Sequence, residues 1–258
     1  MGKVFTTEIT SDQLPSDNPL HQRLLKAYIA IVELIKGDVL EVGCGEGRGI
    51  ELIMSQAKSY TAIDKIEDII AGLKIKYPSG KFLSGNIPPF AGIADDSFDT
   101  VLSFQVIEHI KEDGLFLQEI ARVLKPGGKA YLTTPNRLMS LTRNPWHIRE
   151  YTAEELLTLA NRYFASAKMM GITGDEKVMS YYNQNKKSVE QIARLDFLDL
   201  QHRLPASVLK IPYEILNRWN RNKLKQADDA LVSAITHENY PVTEEASSAL
   251  DLFLIVEK

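Results

Sequence analysis

The stretch Asp38-Val39-Leu40-Glu41-Val42-Gly43-Cys44-Gly45-Glu46-Gly47-Arg48-Gly49 leaves this chain few choices of fold. Val39, Leu40 and Val42 read as a parallel strand buried on both faces. Glycine then recurs at every second position, so the backbone can turn sharply and bring N–H groups near a ligand that a Cβ would keep away. The helix predicted from Gly49 onward would aim its partly positive end over that loop. Asp64 closes the next apolar run, Tyr60-Thr61-Ala62-Ile63, about twenty residues on, where a carboxylate can accept both hydroxyls of a ribose. Glu41 is discordant: a carboxylate inside a buried strand costs several kcal/mol unless it is paired. Its position just before the loop points to a role at the ligand. A nicotinamide-dinucleotide site, or a strand–turn–helix without a ligand, fits the loop taken alone.

Two later segments narrow the choice. Ser97-Phe98-Asp99-Thr100-Val101-Leu102-Ser103-Phe104-Gln105-Val106-Ile107-Glu108-His109-Ile110 is a strand running into a polar crossing. Leu124-Lys125-Pro126-Gly127-Gly128-Lys129-Ala130-Tyr131-Leu132 is a turn into another strand. With the glycine loop, in this order over residues 38–135, they resemble the motifs of class I S-adenosylmethionine-dependent methyltransferases. The likeness is to the small-molecule branch that includes ubiquinone-biosynthesis methyltransferases and many glycan-modifying enzymes. It implies S-adenosylmethionine as cofactor. Gly43, Cys44, Gly45 and Gly47 would then lie against the methionine part, with Glu41 orienting its amino group. Asp64 would take the ribose hydroxyls beside Lys65, Asn86 and Ile87 would lie near adenine, and Gln105 would complete the cofactor set.

The rest of the chain reads as alternating elements. Residues 1–18 are an arm, and Leu20 to Lys36 is an amphipathic helix stopped by Gly37. Helices over Ile50–Gln56, Ile66–Lys76 and Glu112–Leu124 separate strands at Tyr60–Ile63, Lys81–Ser84, Phe98–Ser103 and Lys129–Thr134. Thr152 with Glu155 is a capping box that opens a helix to about Tyr163. Strand six is Ala167–Ile172 and strand seven Leu250–Val256. The expectation is an α/β, Rossmann-like, seven-stranded doubly wound sheet, with a last strand that the resemblance makes antiparallel. Between strands six and seven lies a long interval with helical patterns at Ser188–Leu200, Ala206–Leu224 and Ala227–Thr236, read as an inserted helical cap. The expected division is an arm and helix over 1–37, a cofactor-binding core over 38–172 plus 249–258, and a cap over 173–248.

Composition excludes some classes. No run reaches the roughly 18 apolar residues that span a bilayer, and one cysteine fits a reducing, cytoplasmic setting. The net charge of −4 argues against a broad nucleic-acid surface, which makes an RNA methyltransferase the weakest reading. The charge is uneven, however: residues 177–225 carry +6 and the remainder −10.

Methyl transfer needs an aligned nucleophile and, for a hydroxyl, a base. His109 follows the fourth strand at the sheet's carboxyl edge and is the first candidate base. His147 and Glu150, three apart in Asn144-Pro145-Trp146-His147-Ile148-Arg149-Glu150-Tyr151, form the second. Similar stretches in glycan-associated relatives suggest a saccharide-type acceptor. Metal-dependent relatives have Glu-x-x-Glu-His where this chain has Gln105-Val106-Ile107-Glu108-His109; an amide replaces the first carboxylate, so no metal is expected. The basic, aromatic helix at 204–224 admits three readings: a lid that is also a dimer face, a site for an anionic substrate, or a membrane-surface helix interrupted by Pro205 and Pro212. The expected function is methyl transfer, oxygen favoured, to a small or medium polar acceptor. The alternative is a non-catalytic cofactor-binding module whose cap recruits a protein or membrane partner.

Overall fold

The computed structural model describes residues 14–194, 196 and 199–258. The arm over 1–13 and residues 195, 197 and 198 of the helix expected at Ser188–Leu200 lie outside the described residues. Eight strands form one sheet: β1 (Asp38–Val42), β2 (Ser59–Asp64), β3 (Lys81–Ser84), β4 (Phe98–Phe104), β5 (Leu124–Pro135), β6 (Ser166–Ile172), β7 (Val242–Thr243) and β8 (Asp251–Glu257). Their order is β3-β2-β1-β4-β5-β8-β6-β7. Strands β1 to β5 pair in parallel, and β8 runs antiparallel between β5 and β6. The sheet has one strand more than expected, because β7 adds two residues against Gly171 and Ile172 of β6. Two residues carry no readable period.

Both faces of the sheet are covered. Val39 belongs to a core shared with α1 (Asn18–Ile31), α2 (Ile50–Met54) and α3 (Glu67–Lys76). Its neighbour Leu40 enters the opposite core, with α4 (Asp113–Val123) and α5 (Ala153–Ala160). This alternation follows from the two-residue period of a strand. The capping box at α5 is formed: Glu155 N donates to Thr152 Oγ1 (3.3 Å) and Thr152 N to Glu155 Oε2 (2.9 Å). The chain order reverses between β1 and β4, which opens a crevice at the carboxyl ends of these strands.

The interval between β6 and β8 is helical: α6 (Glu176–Ala193), α7 (Leu200–Arg203), α8 (Ala206–Ala227) and α9 (Asp229–Ala234). Helix α6 starts twelve residues before the expected Ser188, capped by the Asp175 side chain, which accepts from Val178 N at 3.0 Å. Helix α8 continues through Pro212. Among the described residues no helix is long and apolar enough to cross a membrane.

Candidate functional site

The glycine loop follows β1 directly. Gly43, Gly45 and Gly47 all have positive φ (78°, 50° and 83°). Around two of them the missing side chain is filled by packing: a Cβ on Gly43 would lie 2.4 Å from Val106, and one on Gly47 2.7 Å from Ile50. At Gly45 a Cβ would meet nothing within 4 Å. The open space of the loop is therefore above Gly45. Beside it, Asp64 Oδ2 accepts from Gly45 N (2.9 Å) and Oδ1 from Ile66 N (3.0 Å). Each carboxylate oxygen has two lone pairs, so one on each remains for a further donor, as a ribose diol requires. Lys65 and Asn86 are exposed at the ends of β2 and β3, and Ile87 is half-buried against the core. Cys44 is buried, and burial pushes its thiol far above the ordinary range, so it packs as a neutral side chain.

Glu41 is almost fully buried, and two tyrosines hold it. Tyr28 in α1 donates to Oε1 (2.6 Å) and Tyr60 in β2 to Oε2 (2.5 Å). Burial raises its carboxyl to about 7, against the pull of the two hydroxyls. Tyr28 also fills the space that Gly49 leaves, where a Cβ would fall 1.9 Å from its ring. These partners lie 13 and 19 residues from Glu41. Nothing local in the sequence marked either tyrosine as a donor to this carboxylate.

After β4 the chain enters a polar cavity of about 280 Å³ between the sheet edge and the cap. Gln105, itself at positive φ (58°), is the one member of the expected cofactor set that also lines this cavity. The carboxylate of Glu108 is buried and accepts from Thr134 Oγ1 (2.9 Å); burial lifts it to about 7, opposed by the His147 ring. His109 and His147 meet edge to face, with ring centres 5.0 Å apart. The His109 Nδ1 lies 2.9 Å from the Trp146 carbonyl. A carbonyl only accepts, so Nδ1 carries a proton, and in a neutral ring the lone pair would be on Nε2. His147 Nδ1 bonds Glu150 Oε1 (2.6 Å), and its Nε2 faces the Asn144 side-chain amide (2.8 Å). Burial works to raise Glu150, but bonds from His147 and Ser140 outweigh it and hold the carboxyl below its usual range.

Atoms of Glu108, His109 and His147 come within 4.8 Å of one another, close enough to share a metal ion. Both His147 nitrogens are already engaged, and one bond would have to break before that ring could ligate. Much of the remaining wall comes from the cap, which the sequence reading offered as a lid or an anionic-substrate site without singling out residues, and part comes from α1 and the loop after β5. Tyr213, Asn217, Asn220 and Arg221 of α8 face inward, with Tyr181 and Asn185 of α6. Their spacing of four, three and one along α8 is a helical stripe, the cavity-facing side of the helix expected at 204–224.

The protein comparisons agree with this geometry. Residues 40–132 match the family model described as a methyltransferase domain. A "Probable S-adenosylmethionine-dependent methyltransferase" of Mycolicibacterium smegmatis is 37% identical over 161 residues, 60% of this chain and 62% of that one. A "Ubiquinone biosynthesis O-methyltransferase" of Xanthomonas euvesicatoria pv. vesicatoria is 32% identical over 110 residues, 41% of this chain and 46% of that one. The alignments thus span about half of these relatives' own lengths. A Thermotoga maritima structure titled a SAM-dependent methyltransferase and "possible histamine N-methyltransferase" shares the fold, with a TM-score of 0.55 at 17% identity over 93% of this chain and 91% of that one. The loop open above Gly45 and the Asp64 carboxylate beside it both lie within the segment, residues 40–132, that is similar to the methyltransferase domain.

Proposed function

We propose that the chain transfers a methyl group from S-adenosylmethionine to a small or medium polar acceptor, at oxygen. Bound cofactor would supply a methyl already activated on its sulfonium. The chain's own residues would do the remaining work. Gly45 leaves room for the cofactor, Asp64 offers acceptors for its ribose, and the cavity walls orient the acceptor. In its neutral form His109, donating from Nδ1 to the Trp146 carbonyl, would be suited to take a hydroxyl proton, and Glu150 with Asn144 orients His147 beside it.

The observation that carries this reading is the placement of Gln105, which belongs to the expected cofactor set and also to the wall of the polar cavity. Oxygen as the target rests on the His109 tautomer, with support from the name of the Xanthomonas relative. Calorimetry with S-adenosylmethionine tests the first step. Asp64→Ala should weaken binding roughly a hundredfold, the loss of two hydrogen bonds to a charged group. Tight NADH binding with no S-adenosylmethionine signal refutes the proposal. Incorporation of labelled methyl into a metabolite or glycan extract tests turnover. Cofactor binding without any labelled product would favour the non-catalytic module.

A further inference from the structure

Helix α8 is built inside out. Its inward side carries Tyr213, Asn217, Asn220 and Arg221 at the cavity, and Arg218 pairs with the buried Asp17 (2.7 Å). Its outward side carries Val208, Ile211, Ile215, Leu216 and Trp219, at spacings of three, four, one and three. Ile211 is 72% exposed, Ile215 64% and Trp219 52%. Single exposed apolar residues are ordinary, but a continuous stripe over three turns of one helix leaves water ordered against it and marks a contact surface. The neighbouring helix is built the usual way. The exposed side of α6 is Asn183, Lys186, Lys187, Glu190, Gln191 and Arg194, while Ser188 and Asn185 bond Asn220 across the α6–α8 contact.

The exposed charge of the cap bears on what covers the stripe. Residues 177–225 carry +6 in a protein whose remainder is −10; within that segment Arg218 and Arg221 are matched by Asp17, and Lys225 by Asp229. Lys186, Lys187, Arg194, Arg203 and Lys223 of that segment are exposed. Lys223 Nζ stands 5.3 Å over the Trp219 ring at the end of the stripe, an aromatic–cation pair of the kind that settles at a headgroup boundary. A second copy of the chain would bring two such cationic segments together across a two-fold contact, which like-charge repulsion opposes. An anionic lipid surface attracts the same segment and takes up the apolar stripe. Pro212, which in the sequence looked like a break in this helix, lies within it on the exposed side.

We propose that the outward face of α8 docks on an anionic phospholipid bilayer, its apolar stripe entering the acyl boundary and the cap's cations meeting the headgroups. Docked in this way, the opposite face of the same helix would line the acceptor cavity, so the cavity would lie close to the membrane. The inference does not depend on methyl transfer, and its test reads binding alone.

Flotation of the full chain with equimolar phosphatidylcholine–phosphatidylglycerol vesicles should carry protein upward, and phosphatidylcholine vesicles should carry much less. Of the two tryptophans, Trp219 should shift its emission to the blue on binding, and Trp219→Phe should abolish that shift. The double variant Ile211→Glu with Ile215→Glu should lower partitioning roughly a hundredfold. Because both side chains face solvent, its thermal midpoint should match that of the parent. No flotation with anionic vesicles, equal flotation with neutral ones, or no effect of the double variant overturns the proposal. A lipid-free dimer that the same variant dissociates also overturns it, and assigns the face to a second copy.

Discussion

Glu41 stores its proton against the solvent's demand. Two tyrosine hydroxyls hold it, yet burial dominates and lifts the carboxyl from an ordinary 4.5 to about 7. A carboxyl whose folded value lies above its unfolded value binds its proton more tightly when folded. Its contribution to stability is therefore fully present below about 4.5 and is lost as pH rises toward about 7. For a shift of this size the loss is about 3 kcal/mol. Glu108 is displaced in the same direction by its own burial. Without cofactor, the Tm should fall as pH rises through that window. Glu41→Gln keeps the shape, removes the titration and should recover about 6–10 °C at the alkaline end. Scanning calorimetry across the window checks this; parallel curves for variant and parent would show that Glu41 is ionised throughout. At the cavity, His109→Asn keeps a donor toward the Trp146 carbonyl but removes the base. It should lower kcat roughly a hundredfold to ten-thousandfold and erase the acid limb of the pH–rate profile, with the cofactor Kd unchanged. An unchanged kcat would move the proton transfer to His147.

At the scale of an element, the glycine loop separates two duties that the sequence presents as one. Gly49 yields to packing: a Cβ there would fall within 1.9 Å of the Tyr28 ring, so α1 would have to shift. Gly45 yields to the ligand: its surroundings are empty and only its positive φ resists a side chain. Gly49→Ala should cost about 1–3 kcal/mol in urea unfolding through overpacking. Gly45→Ala should cost only about 1–2 kcal/mol for the left-handed backbone but weaken S-adenosylmethionine binding measurably. If the two variants lose stability and affinity in the same proportion, the division is wrong. What was legible in the chain follows the same logic. Strands β1, β2, β3 and β4 were found within a residue or two at their ends, because their buried positions are filled by apolar residues such as Val39, Leu40, Ile63, Phe82, Val101 and Leu102. The pair His147 and Glu150 was legible from its spacing of three, and the structure joins them at 2.6 Å. The start of α6 was missed because residues 176–187 are mostly polar, and helix periodicity is read from apolar residues. In α8 the helix was legible but its orientation was not, since the usual rule sends the apolar stripe inward.

For the whole molecule, the question is what holds the cap over the sheet. Asp17, just before α1, has no exposed side-chain surface, and it accepts from Arg218 (2.7 and 3.1 Å) and Arg221 (3.1 Å) of α8. From the same helix α1, Arg23 reaches Asp251 of β8 at 3.1 Å, and Asn18 donates to the Val232 and Ile235 carbonyls around α9. Helix α1 is thus the clamp between sheet and cap, and Asp17 is its charged contact with α8. Asp17→Asn keeps the volume but leaves two arginines without their counter-charge, which should cost about 3 kcal/mol if the cap and core unfold together. The cofactor loop stands on β1 and β2, away from this contact, whereas Arg221 and Asn217 line the acceptor cavity. The variant should therefore raise KM for the acceptor while the S-adenosylmethionine Kd stays within about twofold, because only one of the two sites is bordered by the loosened helix. Hydrogen exchange should rise first in α8 and leave β1, β4 and β5 protected. Equal loss of protection in α8 and β4 would mean that cap and sheet form a single cooperative unit. A fall in cofactor affinity with unchanged acceptor KM would place the clamp's influence on the wrong side of the molecule.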